Sequence, residues 1–204
     1  MKTLILFIAF FVSKNLLCQN TYSVYYTHEY PANVSIDGTA SAYKMDSRLV
    51  FNDSLSFFYF IQSRKKDNLR KANKIGDKLI HHALFYNRNI DELLAEATWP
   101  KDTYCLLKIE QPLYNWTFTK ETKSILGYNC NQALSVNEEG DTTFVWYTNQ
   151  INNIFGPMYY FGLPGIVLEV NNYKGSGSLI KVKSIQLIQA TLVKPDAEIP
   201  KCRK

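Results

Sequence analysis

A segment rich in glycine and proline, Phe155–Val170, places the strongest local constraint on how this chain folds. It holds three of the nine glycines and two of the seven prolines in the 204-residue sequence. Within it, Leu163-Pro164-Gly165-Ile166 predicts a type II turn, because proline presets φ at the second position and glycine supplies the positive φ of the third. The β-branched residues that follow the turn predict a strand.

The same segment is strongly apolar, which favours a structural role. Met158–Phe161 and Ile166–Leu168 are apolar runs, and no serine, histidine, cysteine or acidic residue precedes Glu169 within the segment. Such a turn is unfavourable in water, so we expect it to pack against the body of the protein. We therefore interpret the segment as a structural element and not as a catalytic loop.

The first eighteen residues have the pattern of a secretory signal peptide. Lys2 gives a basic start, Thr3–Ser13 is an apolar run, and Leu17-Cys18 leads to Gln19. An apolar run of this length is too short to cross a bilayer as a helix. We predict cleavage near Gln19, export to the periplasm or cell envelope, and no transmembrane span afterwards. Lipidation of Cys18 stays an alternative, although Leu17 is larger than the residue that this modification favours.

After the signal peptide we expect one β domain at residues 19–194 and a polar C-terminal tail at residues 195–204. Removing Lys2 and Lys14 lowers the formal charge from +5 to +3, since residues 1–18 contain no acid. This charge is too small to predict a nucleic-acid partner. Three cysteines remain in an oxidising compartment, and an odd number permits at most one internal disulfide. Cys105–Cys130 and Cys130–Cys202 are the two pairings considered, and the sequence does not choose between them.

The remaining chain reads as short strands separated by turns. Residues 21–30 alternate between two faces up to Pro31. Leu55–Gln62 is almost wholly apolar and aromatic, which predicts a central strand or one buried on both faces. Gly127-Tyr128 predicts a bend or bulge within a strand. The last strand, Leu179–Val193, has four inward candidates: Ile180, Val182, Ile185 and Leu187. The fold class predicted is mainly β: an antiparallel, strongly curved sheet or open half-barrel with little helix.

The sequence contains no recognisable catalytic, cofactor or metal motif. His81 and His82 are adjacent, so on a strand they point to opposite faces and cannot bind one metal together. His28 lies among strand tyrosines and is expected at a sheet surface. We predict no catalytic, cofactor-binding or metal-binding residues, and a Cys130 that is buried or bridged instead of reactive. The cation-rich segment Arg64–Lys78 is interpreted as a solvated loop or short helix, with contact to anionic lipid as the alternative.

Several ordered blocks resemble the GLPGLI family of exported proteins from Gram-negative bacteria, whose function is unknown. They are the region of Trp116, Lys123–Ala133, Val145–Thr148, Gly156-Pro157 and Gly162–Val167, with a further similarity at Leu49–Phe58. The resemblance implies that the motif residues are structural; they are Trp116, Gly127, Tyr128, Cys130, Trp146, Gly156, Pro157, Gly162, Leu163, Pro164 and Gly165. At the fold level the pattern is also similar to periplasmic half-barrels that carry lipoproteins or lipids.

Aromatic residues are the other compositional feature, with 14 Tyr, 12 Phe and 3 Trp. Most are expected in the core, and some are expected to line a concave face. The function expected is an exported, non-catalytic envelope protein that binds an apolar ligand or a partner segment on this face. One alternative is a hydrolase-like enzyme with an unrecognised carboxylate site. Another is a structural partner of an outer-membrane assembly.

Overall fold

A computed structural model describes residues 20–34, 40–61, 74–75, 83–99, 103–110, 114–172 and 177–195 of the chain. The predicted signal peptide and most of the predicted tail lie outside these residues, as do His81, His82 and Cys202. Most of Arg64–Lys78 also lies outside them. The predictions made for these parts therefore stay predictions.

The described residues form thirteen strands and one 3₁₀ turn, at Arg88–Ile90. The strands are β1 (Thr21–Val34), β2 (Ala40–Phe51), β3 (Leu55–Ile61), β4 (Lys74–Ile75), β5 (Ala83–Asn87), β6 (Glu92–Trp99), β7 (Thr103–Ile109), β8 (Thr117–Ile125), β9 (Tyr128–Val136), β10 (Thr142–Thr148), β11 (Ile166–Asn172), β12 (Ser178–Ile188) and β13 (Thr191–Leu192). In this part of the chain, no helix is long and apolar enough to span a membrane.

Eleven strands make one antiparallel sheet in the order β7-β6-β5-β3-β2-β1-β12-β11-β10-β9-β8. Two meanders form its halves, and the pairing of β1 with β12 joins them in the middle. The sheet is curved and not closed, which confirms the fold class predicted from the sequence. β4 and β13 form a separate parallel pair.

The connection between β7 and β8 shows why the sheet must curve. These strands are consecutive in sequence but lie at opposite edges of the sheet. A flat sheet of eleven strands would place its edges about 48 Å apart, because neighbouring strands are spaced by about 4.8 Å. The chain from Ile109 to Thr117 reaches at most about 29 Å when fully extended. The sheet therefore bends until this short connection can join its two edges.

The connection identifies the inner face of the bend. Two of its residues, Tyr114 and Trp116, pack against Tyr160 and Phe161 of the β10–β11 connection, residues 149–165. The face covered by the β10–β11 connection is therefore the inner one. Its central row consists of directly opposed residues that are all buried, in the order Ala133, Val145, Val170, Ile180 and His28.

The Gly/Pro-rich segment packs into the inner face, as the sequence predicted. Phe155, Leu163 and Ile166 are each 1% exposed or less. The Phe155 ring lies 5.8 Å from that of Phe51 and 5.6 Å from that of Tyr86. The apolar turn is thus removed from water by contact with strands from the other half of the sheet.

A second core lies on the outer face of the β2–β7 half. Val50, Phe57, Phe85 and Leu94 are directly opposed across four strands and are all buried. They pack with Leu192 of β13. Since Phe58 is buried on the inner side of the same strand, β3 is buried on both faces, as its continuous apolar run predicted.

Four local predictions were wrong. β1 continues through Pro31 to Val34, and its register with β2 is interrupted between Tyr30 and Asn33, because proline cannot donate a backbone hydrogen bond to the neighbouring strand.

Leu126-Gly127 is not a bulge but a two-residue hairpin turn, with φ values of 51° and 83° that fit type I′. Leu187 is 62% exposed, because its partner Tyr22 stacks on Phe51 instead.

The fourth is the role of Gly165. Its φ is not positive, so Leu163-Pro164-Gly165-Ile166 is not a type II turn. Glycine is needed there because a Cβ would overlap the carbonyl oxygen of Thr148 and lie 2.9 Å from the Cα of Asn149. The positive φ occurs three residues earlier, at Gly162, where it is 88°.

Neither predicted disulfide forms. Cys105 is disulfide-bonded, whereas Cys130 is a free thiol that is 1% exposed. Both pairings considered from the sequence used Cys130, so both are wrong. The prediction that Cys130 is buried is confirmed.

The backbone contact at Gly165 leads to a test with Gly165→Ala. We expect this change to lower the free energy of unfolding by about 2–3 kcal/mol, because a backbone carbonyl must move to admit the methyl group. Gly140→Ala is the control, since Gly140 has a φ of 84° and open space around it. That change should lower the free energy of unfolding by about 1 kcal/mol, because alanine is strained at a positive φ although its methyl group meets no other atom. Chemical denaturation measures both, and equal losses would contradict the steric explanation.

Candidate functional site

Partly exposed aromatic side chains follow one another on the inner face. Tyr30 of β1 and Tyr43 of β2 are directly opposed, and their rings are stacked with centroids 4.4 Å apart and planes 13° apart. The ring of Tyr43 is 48% exposed. An aromatic ring left this open on an ordered strand is available to a binding partner.

The β7–β8 and β10–β11 connections extend this pair. Tyr114 stacks on Trp116 at 4.9 Å, and its ring lies 5.2 Å from that of Tyr160. Tyr160 also accepts a hydrogen bond from Asn172 of β11, which is directly opposed to Ser178 of β12. Ser178 precedes Leu179, the partner of Glu29, so Tyr160 lies toward the end of the sheet that carries Tyr30. We call the set Tyr43, Tyr30, Tyr160, Tyr114 and Trp116 the aromatic row.

Backbone contacts fix two of the three members contributed by the connections. The indole Nε1 of Trp116 donates a 2.9 Å hydrogen bond to the carbonyl oxygen of Phe161. The amide of Tyr160 donates to the carbonyl oxygen of Pro157 at 3.1 Å. A Cβ on Gly156 would overlap the carbonyl oxygen of Tyr160, so glycine is required for this tight turn. Gly156, Pro157 and Trp116 therefore position the row.

The tyrosines of the row are neutral hydrogen-bonding groups. Burial raises the pKa of Tyr114 well above its usual range, and Tyr160 adds to this shift by accepting a hydrogen bond from the Tyr114 hydroxyl. Burial also raises the pKa of Tyr160, partly offset by hydrogen bonds from Tyr114 and Asn172. The pKa of Tyr30 is raised by burial and by the neighbouring Tyr43 and Tyr160. These three phenols stay protonated near neutral pH.

The other motif residues lie elsewhere. Lys123 places its Nζ 4.3 Å from the centre of the Trp146 ring and 2.7 Å from Oε1 of Glu169. Cys130 lies opposite Lys123 in the sheet, and burial raises the pKa of its thiol. Tyr128 follows the hairpin turn at Gly127 and packs against the core. Of the eleven predicted motif residues, Trp116 belongs to the aromatic row.

A buried histidine and serine form the arrangement closest to a catalytic pair among the described residues. Nε2 of His28 lies 2.7 Å from Oγ of Ser47, and both residues are 0% exposed. Asp46 points to the opposite face, where it accepts hydrogen bonds from Thr27 and Lys183. No substrate reaches this pair in the folded structure, so we interpret it as part of the core. The prediction that His28 lies at a sheet surface was wrong, because its position in β1 faces the central inner row.

Lysine side chains hold several of the carboxylates. Ion pairs join Glu29 to Lys44, Asp46 to Lys183, Glu92 to Lys194 and Glu169 to Lys123. Within the ranges that the structure describes, no group of three or more His, Cys, Asp or Glu side chains is arranged to hold a metal ion.

Sequence reasoning did not single out the four tyrosines of the row. Their abundance was noted, and the alternation of residues 21–30 placed Tyr30 on the same face as Val24, Tyr26 and His28. Their contact depends on two connections that approach the strands from distant parts of the sequence. No local pattern in the chain contains that information.

A family model described as "N-glycanase peptide, N-terminal domain" matches residues 97–200, half of the chain. The chain belongs to this family of N-terminal domains. The matched range contains β8–β12 and both connections that contribute to the aromatic row. None of the curated proteins compared with the chain matches it.

Solved structures resemble the fold. PNGF-II in space group P21 aligns with a TM-score of 0.61 and 21% identity over 87% of this chain and 32% of PNGF-II. The C2 form gives a TM-score of 0.58 and 20% identity, over 87% and 31%. An uncharacterized conserved protein from Thermus thermophilus gives a TM-score of 0.47 and 8% identity over 92% of each chain. The chain thus spans about a third of the length of PNGF-II, and at these identities the PNGF-II likeness shows the fold alone.

The burial of His28 predicts a pH dependence of stability. Burial lowers the pKa of His28 to about 4, with the charge of Asp46 opposing this shift. The pKa of this residue in the unfolded chain is near 6.5. The contribution of neutral His28 to the free energy of unfolding is therefore fully present above pH 6.5 and is lost as the pH falls toward 4. We expect a loss of roughly 2 kcal/mol between pH 7 and pH 5 from this residue.

The measurement compares the free energy of unfolding of wild type and His28→Gln at the two pH values. The glutamine amide can still reach Ser47 but does not titrate. The variant should lose less stability than wild type on acidification. The same loss in both proteins would show that His28 is not the group responsible.

Proposed function

We propose that this chain is an exported, non-catalytic binding module that holds the apolar face of a ligand or partner segment against its aromatic row. The observation that carries the proposal is the run of five ordered aromatic side chains, of which Tyr43 is 48% exposed. Aromatic rings of this kind, with an apolar face and a polar tip, are enriched at binding surfaces.

The position of the row refines the expectation of a concave binding face. Most of the inner face is packed against the chain's own β10–β11 connection, through residues such as Phe155 and Leu163. The row contributes partly exposed aromatic rings to that face, as does Phe118, which is 58% exposed and directly opposed to Ala133. The proposed site is therefore built from the connections and two central strands, and not from an open sheet surface.

The family relationship supports an accessory role. The matching family is that of an N-terminal domain, and its description refers to an N-glycanase. PNGF-II is about three times as long as the part that this chain matches. We propose that the chain acts as a binding domain and contributes no catalytic group of its own. The ion-paired carboxylates and the buried His28–Ser47 pair are consistent with this role.

The test of binding uses Tyr43→Ala. Removing the most exposed ring should weaken binding of the apolar dye 1-anilinonaphthalene-8-sulfonate by about fivefold or more, because ring contacts of this type contribute on the order of 1 kcal/mol. Dye fluorescence measured over a concentration series gives the dissociation constants.

Leu187→Ala is the matched control. It removes an apolar side chain that is 62% exposed and remote from the row in the contacts described. The control should bind the dye as wild type does. If both variants bind equally, or if Leu187→Ala has the larger effect, the aromatic row is not the binding site.

Export is a separate part of the proposal, as is the GLPGLI resemblance. Both rest on the sequence: the signal pattern at residues 1–18 and the ordered motif blocks. N-terminal sequencing of the protein recovered from the envelope of a Gram-negative bacterium should find a start at or near Gln19. Retention of Met1, or an acylated Cys18, would contradict the predicted cleavage.

A further inference from the structure

We infer that the ligand of the aromatic row is a neutral carbohydrate, whose sugar rings lie with their C–H faces on the tyrosines and whose hydroxyl groups bond to the phenol oxygens. This inference rests on the proposed function and names the class of ligand. It follows from three properties of the row: flat exposed rings, hydroxyl groups that come together, and the absence of charge among its five members.

The rings are presented as flat surfaces. The Tyr30 and Tyr43 planes differ by 13°, and those of Tyr114 and Trp116 differ by 17°. Each pair is stacked, so an inner ring supports the face of an outer one. A pyranose ring offers a matching flat patch of C–H groups, whereas an unbranched acyl chain does not need a planar support.

The phenol oxygens add hydrogen-bonding capacity beside these surfaces. The Tyr114 hydroxyl and the Asn172 amide both donate to the Tyr160 oxygen, and the stacking of the Tyr30 and Tyr43 rings at 4.4 Å brings a second pair of phenols together. An acyl chain laid across these oxygens would remove them from water without replacing the hydrogen bonds that they lose. A polyhydroxylated ligand replaces those bonds.

Charge separates the carbohydrate from an anionic ligand. The row contains tyrosine and tryptophan side chains without a formal charge, so it offers no ion pair to an anionic ligand.

Isothermal titration calorimetry with four probes tests the inference: maltohexaose, cellohexaose, chitohexaose and palmitate. Wild type should bind at least one hexasaccharide. Tyr43→Phe keeps the ring and removes the hydroxyl, so it should weaken that binding about fivefold, as expected for one hydrogen bond. Tyr43→Ala should weaken it more than tenfold, and Leu187→Ala should leave it unchanged.

The outcomes distinguish this inference from the proposed function. If palmitate binds, no hexasaccharide does, and only Tyr43→Ala reduces the binding, the row is a binding site but its ligand is not a carbohydrate. If a hexasaccharide binds equally to wild type and Tyr43→Ala, the carbohydrate site lies elsewhere and the inference is wrong. If none of the four probes binds, and the dye also fails to distinguish Tyr43→Ala from Leu187→Ala, both proposals are overturned.

Discussion

The short chain between β7 and β8 is the constraint on which the rest of the structure depends. It joins the two edges of an eleven-stranded sheet, although it spans only about 29 Å when extended. The sheet must therefore bend. The bend creates an inner face that carries many apolar side chains, and these are unfavourable in water unless another segment covers them. The β10–β11 connection covers much of that face with its own apolar residues. The curvature of the sheet and the packing of the β10–β11 connection thus depend on each other.

Two glycines of the β10–β11 connection are needed because other backbone atoms approach them closely, and not because they form a turn with positive φ. A Cβ at Gly156 would overlap the backbone of Tyr160, and one at Gly165 would overlap the backbone of Thr148. Both contacts let the connection lie directly on neighbouring backbone, which keeps its aromatic residues at a fixed height above the sheet. Tyr160 is held in this way against Tyr114 on the β7–β8 connection. The packing that stabilises the fold therefore also positions the proposed site.

The arrangement explains how a protein with few catalytic signals can still present an ordered site. Each half of the sheet contributes to the aromatic row: β1 and β2 from one side, the two connections from the other. The row stays uncharged because its members are phenols and an indole. Several charges of the described residues are instead paired with each other, as between Lys123 and Glu169. Recognition at such a site depends on ring faces and hydroxyl groups, which is why we assign it to binding and not to chemistry.

The sequence by itself determined the strands, their buried faces and the packing of the Gly/Pro-rich segment. These follow from the period-two pattern of β1, the continuous apolar run of β3 and the composition of Phe155–Val170, all of which are local properties. It misjudged Gly165, His28 and the disulfide, and it did not find the tyrosine row. For Gly165, His28 and the tyrosines the deciding neighbour lies far along the chain: Thr148 approaches Gly165, Ser47 pairs with His28, and Tyr160 meets Tyr114. Such contacts exist only after the sheet has bent, because the bend brings distant strands and connections together.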